Sequence, residues 1–444
     1  MKSFKLLLVL PDLENEKILT YQSNNLPIYF DLVDENIGFD NPQPYNDYFY
    51  EITGIPLYRR YSFNSSEYVV FVFEQIKKTA PKIHFCWKTY DEFLSNCDNE
   101  EKRHIINAIN KNYKLSINMP WLSKGFSPYF LWLDYYLNKN NIILTGQMEQ
   151  LKNAYVSTVF CVPTNIGNLY LKIPGEVFIG EIVLTSELRK SKLINLPNWL
   201  TFDSKLNAIL MTDMGGYDLP YQSKINIYQD VIAAYTKIQK NSINHLPLKC
   251  HHYDSTINTT LEKLKSFSQK VFAILKDTKY ELSEDEFQSL QVNIMKAEVL
   301  LKIVNELSIP NTIHHGDLRP GNIRVIDDKY MFYDWAWGGV SHPFVEITAF
   351  LHIVRRNLDK EIIIEQYLKE WIEFGTYEEL KNIYCIIDNL KNLFFAIIDY
   401  DWIEAIISKI KYVDLMSADG WLLERRTFYL ANVIRRFINT ELKL

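Results

Sequence analysis

The feature that most constrains this chain is a change in the spacing of its apolar residues. Up to about Met211 they come as short runs, such as "KLLLVL", "YVVFVFE" and "KIHFCW", cut by turn-forming clusters like "DENIGFDNPQPYND". Such runs bounded by Gly, Pro, Asn and Asp read as strands. After Asp218 and Pro220 they recur at helical spacing nearly to Leu444, interrupted only by "TIHHGDLRPGN" (Thr312–Asn322) and "KYMFYDWAWGGVSHP". A β-rich part followed by a helical body with one loop-rich insert is the expected α+β order. At 444 residues the chain is too long for a single ordinary core, so two or three folding units are expected.

Composition excludes several classes. No run approaches the ~20 apolar residues of a membrane span, and the apolar run Leu6–Leu10 stops at Pro11, as a first strand would. A net charge of −6 lacks the basic field that nucleic acid requires. The five cysteines, Cys86, Cys97, Cys161, Cys250 and Cys385, are scattered and form no C-x-x-C pair. A reduced, cytoplasmic chain without structural zinc is the expectation.

The boundaries follow the pattern. Residues 1–115 read as an α+β domain and 116–145 as a helical connector. Residues 146–214 read as a small β-rich lobe and 215–444 as a helical lobe carrying a loop over 312–346. Within the small lobe, "NAYVSTVFCVPTNIGNLYLKIP" predicts a hairpin, "GEVFIGEIVLTSELRK" a helix, and "NAILMTDMGG" a strand ending in a double-glycine turn.

The insert gathers His314, His315, Gly316, Asp317, Arg319, Pro320, Gly321 and Asn322, and Asp334 follows twelve residues after Asn322. The intervening "IRVIDDKYMFY" predicts a tight hairpin that returns the chain, so that Asn322 and Asp334 face one another. One carboxylate beside an accepting hydroxyl and two oxygen ligands for Mg²⁺ are what phosphoryl transfer from a nucleotide needs.

The H-G-D-x-x-x-x-N run over His315–Asn322, with Asp334 after it, resembles the aminoglycoside phosphotransferase and choline kinase-like superfamily. The resemblance implies a bilobal protein-kinase-like fold, here preceded by a separate α+β domain. It implies that Asp317 is the catalytic base, that His315 holds the loop in shape, and that Asn322 and Asp334 hold Mg²⁺. ATP is the implied phosphate donor, with GTP left open. Lys172 in "NLYLKIP" would sit on the α- and β-phosphates, with Glu181 as its ion-pair partner rather than Glu187. No G-x-G-x-x-G or Walker A run is present, and "YVSTVF" would supply Ser157 and Thr158 to the phosphates. "AILMTDMGG" would offer backbone groups near Asp213 and Met214 to adenine, with Met211 as a pocket wall.

Arg319 stands where this superfamily often has histidine, and a guanidinium there could stabilise the charge of the transferring phosphate. In "WAWGGVSHPFVEI", Glu346 takes the place of the aspartate usual in antibiotic kinases, as a structural anchor. Residues 1–115 resemble a Nudix domain in which one acidic ligand, Glu51, remains, which implies a catalytically silent domain serving interaction or regulation. The expected activity is transfer of the γ-phosphate to a hydroxyl of a small molecule, an aminoglycoside-like antibiotic or a metabolite. Asp399, Asp401, Glu404, Asp414 and Asp419 are candidates to line a cleft for a polyamine-like antibiotic, and Trp402 or Trp421 to stack on a sugar. A protein acceptor, or a nucleotide-binding pseudokinase that signals through the first domain, remains the alternative.

Overall fold

The computed structural model describes residues 5–12, 17–22, 28–31, 41–64, 68–76, 78–95, 100, 103, 109, 119–121, 125–154, 156–178, 180–191, 196–243, 245, 253–354, 359–409 and 418–443. Cys97, Ile179, Cys250 and Asp414 lie outside them, as do the side chains of Asp419 and Trp421. The chain divides into two compact units. The first comprises Met1–Val177, Trp199–Asp213 and Ala405–Glu424, the second Phe178–Asn198, Met214–Glu404 and Arg425–Leu444.

The first unit carries the strands that the sequence pattern predicts together with others that it does not, among them those at Lys17–Tyr21, Leu57–Asn64, Glu149–Ala154 and Trp199–Asp203. In chain order they are β1 (Lys5–Val9), β2 (Pro11–Asp12), β3 (Lys17–Tyr21), β4 (Ile28–Asp31), β5 (Leu57–Asn64), β6 (Tyr68–Gln75) and β7 (Phe85–Thr89). They continue with β8 (Glu149–Ala154), β9 (Ser157–Thr164), β10 (Gly167–Pro174), β11 (Trp199–Asp203) and β12 (Ala208–Thr212). Helices α1 (Gln43–Thr53), α2 (Tyr90–Ser95) and α3 (Ser127–Lys139) accompany them. One sheet has the order β4-β1-β6-β5, in which β1 runs parallel to β6, and a second has the order β2-β3-β7. The third, β11-β12-β10-β9-β8, is antiparallel throughout, with β9 and β10 forming the expected hairpin. Helix α3 is the helix expected in the connector; Pro128 lies in its first turn, and its Phe126 amide donates to the Glu74 carboxylate at 3.0 Å.

A single hydrophobic cluster joins Leu7, Tyr58, Tyr61 and Val72 to Phe126, Phe130, Phe160, Leu171 and Leu210, so strands on both sides of residue 115 share one interior. The contact is also polar. On β8 the Gln150 amide donates to Gln43 Oε1 at 2.7 Å, the Asn153 carbonyl accepts from the Arg59 guanidinium at 3.0 Å, and the Met148 carbonyl accepts from the Tyr58 hydroxyl at 2.8 Å. The Gln150 side chain accepts from the Arg59 amide at 2.9 Å and donates to the Arg59 carbonyl at 2.8 Å. Glu51, the remaining acidic residue of the Nudix-like run, is exposed on α1.

The second unit is mostly helical: α4 (Gly180–Ser191), α5 (Ile225–Ser242), α6 (Ile257–Leu275), α7 (Glu284–Glu306), α8 (Pro343–Ile353), α9 (Lys360–Lys369), α10 (Tyr377–Asn389), α11 (Lys391–Lys409) and α12 (Ala418–Ile438). Division between the units falls within α11 and α12. Two helix starts are fixed by capping boxes, Ser283 with Glu286 at α7 and Thr376 with Glu379 at α10, each satisfying amide donors that a helix leaves open. Among these helices lie two small sheets, β13-β16-β17 and β14-β18-β15, built from Tyr217–Asp218, Ile323–Ile326 and Lys329–Phe332, and from Tyr253–Ser255, Gly339–Ser341 and Thr312–His314.

Candidate active site

The loop that carries the polar cluster is held at both ends by strand pairing. Strand β15 ends at His314, and β16 begins at Ile323 after a 3₁₀ turn over Pro320–Asn322. Strands β16 and β17 form the expected tight hairpin: Ile326 pairs with Lys329, and Asp327 and Asp328 between them have φ 46 and 59. Positive φ at both central residues suits a two-residue turn, and Asp tolerates it. At the open end the Tyr333 amide donates to the Asn322 carbonyl at 3.1 Å, which sets Asn322 beside the residue preceding Asp334. Asp334 itself takes the left-handed conformation, φ 64 and ψ 57, a conformation found at ligand-binding sites more than elsewhere.

Asp317 Oδ2 accepts from Arg319 Nε at 3.0 Å and from the Asn322 side-chain amide at 2.9 Å. Oδ1 receives no hydrogen bond among the described residues. The Asn322 nitrogen also donates to the Asp317 carbonyl at 2.8 Å, so its amide oxygen is the atom left for a cation. Burial raises the Asp317 pKa; Arg319, His315 and Asn322 act against burial, and the negative charge of Asp334 acts with it. Arg319 is 42% exposed at its side chain and lies 3.5 Å from the Tyr221 hydroxyl.

His315 joins the two halves of the site. Its Nε2 lies 2.9 Å from the Tyr333 carbonyl, which can only accept, so Nε2 carries the proton and Nδ1 is left to accept from the Asp317 amide at 3.3 Å. Burial lowers the pKa of this fully buried ring despite the nearby Glu346 and Asp317 carboxylates, which keeps it neutral. One neutral imidazole therefore ties Asp317 to the residue before Asp334.

Behind the loop stands Glu346, 1% exposed, in the first turn of α8. Its Oε2 accepts from the amides of His315 and Gly316, the latter at 3.1 Å, and from the Tyr235 hydroxyl at 3.2 Å; His314 Nδ1 lies 2.9 Å away. Burial acts to raise the Glu346 pKa, but the His314 ring, His315 and the Gly316 amide outweigh it and hold the pKa at about 2. The Tyr235 hydroxyl in turn accepts from the His315 amide at 3.1 Å. Gly316 has φ 78, and a Cβ there would collide with the Trp337 carbonyl, so the loop needs glycine twice over.

The remaining expected site residues fall on both units. Lys172, on the first, lies on β10 opposite Val159 and Ile209 and is half-buried. Glu181, on the second, is buried in the first turn of α4, while Glu187 pairs with Lys190 at 2.6 Å as a partly exposed helix residue. Met211 lies half-buried near the end of β12, and Asp213 accepts from the Tyr170 hydroxyl at 3.1 Å. The chain passes from the first unit to the second between Asp213 and the half-buried Met214, just before Gly215 and Gly216 with φ 67 and 61.

Ser157 and Thr158 lie on the first unit, at the β8–β9 turn. They open strand β9 and are buried, and the Thr158 hydroxyl donates to the Lys152 carbonyl at 3.0 Å.

Solved structures similar to the chain include a choline/ethanolamine kinase family protein from Mesorhizobium loti, at 14% identity, covering 68% of this chain and 99% of that one, with a TM-score of 0.42. They also include an ethanolamine kinase from Plasmodium vivax (12%, 69% and 89%, TM-score 0.45) and the ADP-bound aminoglycoside phosphotransferase APH(2'')-Ib (14%, 69% and 98%, TM-score 0.45). No family model matches the sequence, and no curated protein does. No described helix is long and apolar enough to cross a membrane.

Of the acidic residues expected to line a cleft on the late helices, the three whose side chains are described already have partners. Asp399 pairs with Arg426 at 3.0 Å, Asp401 with Lys263 at 2.6 Å, and Glu404 accepts from the Tyr400 hydroxyl at 3.0 Å. Trp402 is 0% exposed and cannot stack on a sugar. Sequence reading missed Tyr235 and Tyr221, which lie 80 and 98 residues from their partners His315 and Arg319 and carry no local signal. Tyr333 could have been found, since it immediately precedes Asp334.

Proposed function

We propose that this protein transfers the γ-phosphoryl group of ATP to a hydroxyl of a small molecule, with Asp317 as the base and Mg²⁺ as the metal. The observation that carries the reading is the division of labour at Asp317: Oδ2 is fixed by Arg319 and Asn322, while Oδ1 is left for an acceptor hydroxyl. A carboxylate oriented through one oxygen can take a hydroxyl proton on the other without a covalent intermediate.

The donor set fits Mg²⁺. Among the described residues no group of three His, Cys, Asp or Glu side chains forms, but Mg²⁺ at a nucleotide takes only one or two protein ligands and completes its shell with phosphate oxygens and water. The Asn322 amide oxygen and the Asp334 carboxylate would be those ligands, and the metal would supply charge neutralisation on the phosphates. The half-exposed Arg319, with donors beyond those held by Asp317 and Tyr221, is placed to stabilise charge on the transferring group. Lys172 and Glu181 are proposed as the phosphate-binding lysine and its partner. Backbone around Asp213 and Met214 is proposed for adenine, with Met211 beside it.

The pairing of Asp399, Asp401 and Glu404 argues for an acceptor that is not recognised as a polycation there. ATP consumption with Mg²⁺ across sugars, amino alcohols, macrolides and aminoglycosides tests the function, comparing the wild type with Asp317→Ala. Turnover on one acceptor that disappears in the variant is expected; no Asp317-dependent turnover on any acceptor would sink the reading.

A further inference from the structure

A cation and three aromatic rings stand directly behind the two halves of the site. The Arg426 guanidinium, on α12, lies 4.4 Å from the Trp402 ring centroid and 5.3 Å from that of Trp337, and its Nη1 is 3.0 Å from Asp399. Trp337 and Trp402 are stacked at 5.2 Å and 19°, and Phe178 closes the group at 5.2 Å from Trp337 and 5.0 Å from Trp402. All of these residues belong to the second unit. A guanidinium over indole faces is attracted by their quadrupoles, most strongly where water is excluded, and here both members of the ion pair are largely buried.

What makes the group more than packing is where Trp337 sits. It ends the 3₁₀ turn Trp335–Trp337 that begins immediately after Asp334, and Asp334 is the left-handed residue from which that turn starts. The Trp337 carbonyl and Cβ also form the wall against which Gly316, the neighbour of Asp317, is packed so closely that no Cβ fits. The next residue, Gly338, meets Leu184 of α4 with equally little room. Trp337 is thus in contact with the catalytic loop and covalently close to the metal-side aspartate.

We infer that Arg426 is a positioning residue: by clamping Trp337 against Trp402 it fixes the spacing between Asp317 and Asp334, and so tunes the affinity of the metal at Asn322 and Asp334. This rests on the phosphotransferase reading above. It is tested with the full chain by Mn²⁺ binding in the presence of ADP, followed by electron paramagnetic resonance. The charge-balanced variant Asp399→Asn/Arg426→Gln removes the clamp without leaving a buried ion unpaired. An affinity for Mn²⁺ about tenfold weaker than wild type is expected, the order of effect a desolvated cation–π pair supports.

A folded double variant with wild-type Mn²⁺ affinity would overturn the inference and leave the phosphotransferase reading intact. Wild-type protein that binds no Mn²⁺ with ADP would overturn both. Should the double variant not fold, Arg426→Lys carries the test, because it keeps a cation for Asp399 and loses the planar stack. Its expected affinity is about threefold weaker, and an unchanged affinity again overturns the inference.

Discussion

Two stretches of the second unit are rich in acidic residues and have opposite fates. Between Asp317 and Asp334 the carboxylates converge: Asp334 lies near enough to raise the pKa of Asp317, and one Asp317 oxygen is left without a donor among the described residues. Between Asp399 and Glu404 they diverge, each to a partner on a different element, Arg426 of α12, Lys263 of α6 and Tyr400 of the same helix. Asp399 and Asp401 also have pKa values raised by burial, with Arg426 and Lys263 acting against it. A raised pKa therefore does not distinguish the two stretches. The difference is whether the carboxylates share one space and keep an oxygen open, which is a matter of geometry rather than of acidic content.

The comparison can be broken most directly at Asp317. Replacement by alanine is expected to lower kcat by about 10³-fold, within the range for a positioned general base, while the thermal midpoint changes little. Next in size is Glu346→Gln, expected to cost about 2 kcal/mol at neutral pH through weakened hydrogen bonds to a buried charge, measured by denaturant unfolding. The same variant changes the acid response. The folded Glu346 carboxyl lies below its ordinary 4.5, so the stability it contributes is complete above that pH and is lost as pH falls to about 2. Glu346→Gln should lack that limb. The limb belonging to His342, whose pKa burial lowers from 6.5 to about 3, should remain, because stability there falls as pH drops below 6.5.

Smaller effects sharpen the contrast. Arg319→Ala is expected to reduce kcat about tenfold at saturating ATP, as for loss of one charge-assisted contact; unchanged turnover would remove Arg319 from the catalytic set. Since burial raises the Asp317 pKa and Arg319 opposes it, the acid limb of the rate profile should move to higher pH in this variant. Asp401→Asn, in the diverging stretch, is expected to alter kcat/KM by less than about threefold, because a partly exposed ion pair contributes little. A large loss on any acceptor would show that the two stretches are not distinct.

Much of this contrast was legible in the sequence and part was not. The H-G-D-x-x-x-x-N spacing and the short "IRVIDDKYMFY" run define a local structure whose ends must meet, so Asp317, Asn322 and the return of Asp334 could be placed without coordinates. The hairpin–helix–strand order from Ser157 to Thr212 was legible for the same reason, since each step is set by turns a few residues long, whereas β8 and β11 were not foreseen. Pairings across long separations were not: Asp401 finds Lys263 at a distance of 138 residues, and no local pattern announces it. The Ser157–Thr158 step is ambiguous in the sequence because a strand edge and a phosphate loop can share the same residues, and the register of β8 with β9 shows only that these two open a strand.

The side-chain amides that link β8 to residues 43–59 have a consequence for association between molecules. A terminal strand of a sheet ordinarily exposes a row of donors and acceptors that can recruit a strand from another chain. The Gln150 amide and Asn153 carbonyl of β8 and the carbonyl of Met148 just before it are already engaged by Gln43, Arg59 and Tyr58. Crowded copies of this protein therefore find no open ladder at that edge, and the region before residue 115 acts there as a built-in guard against fibre-like self-assembly.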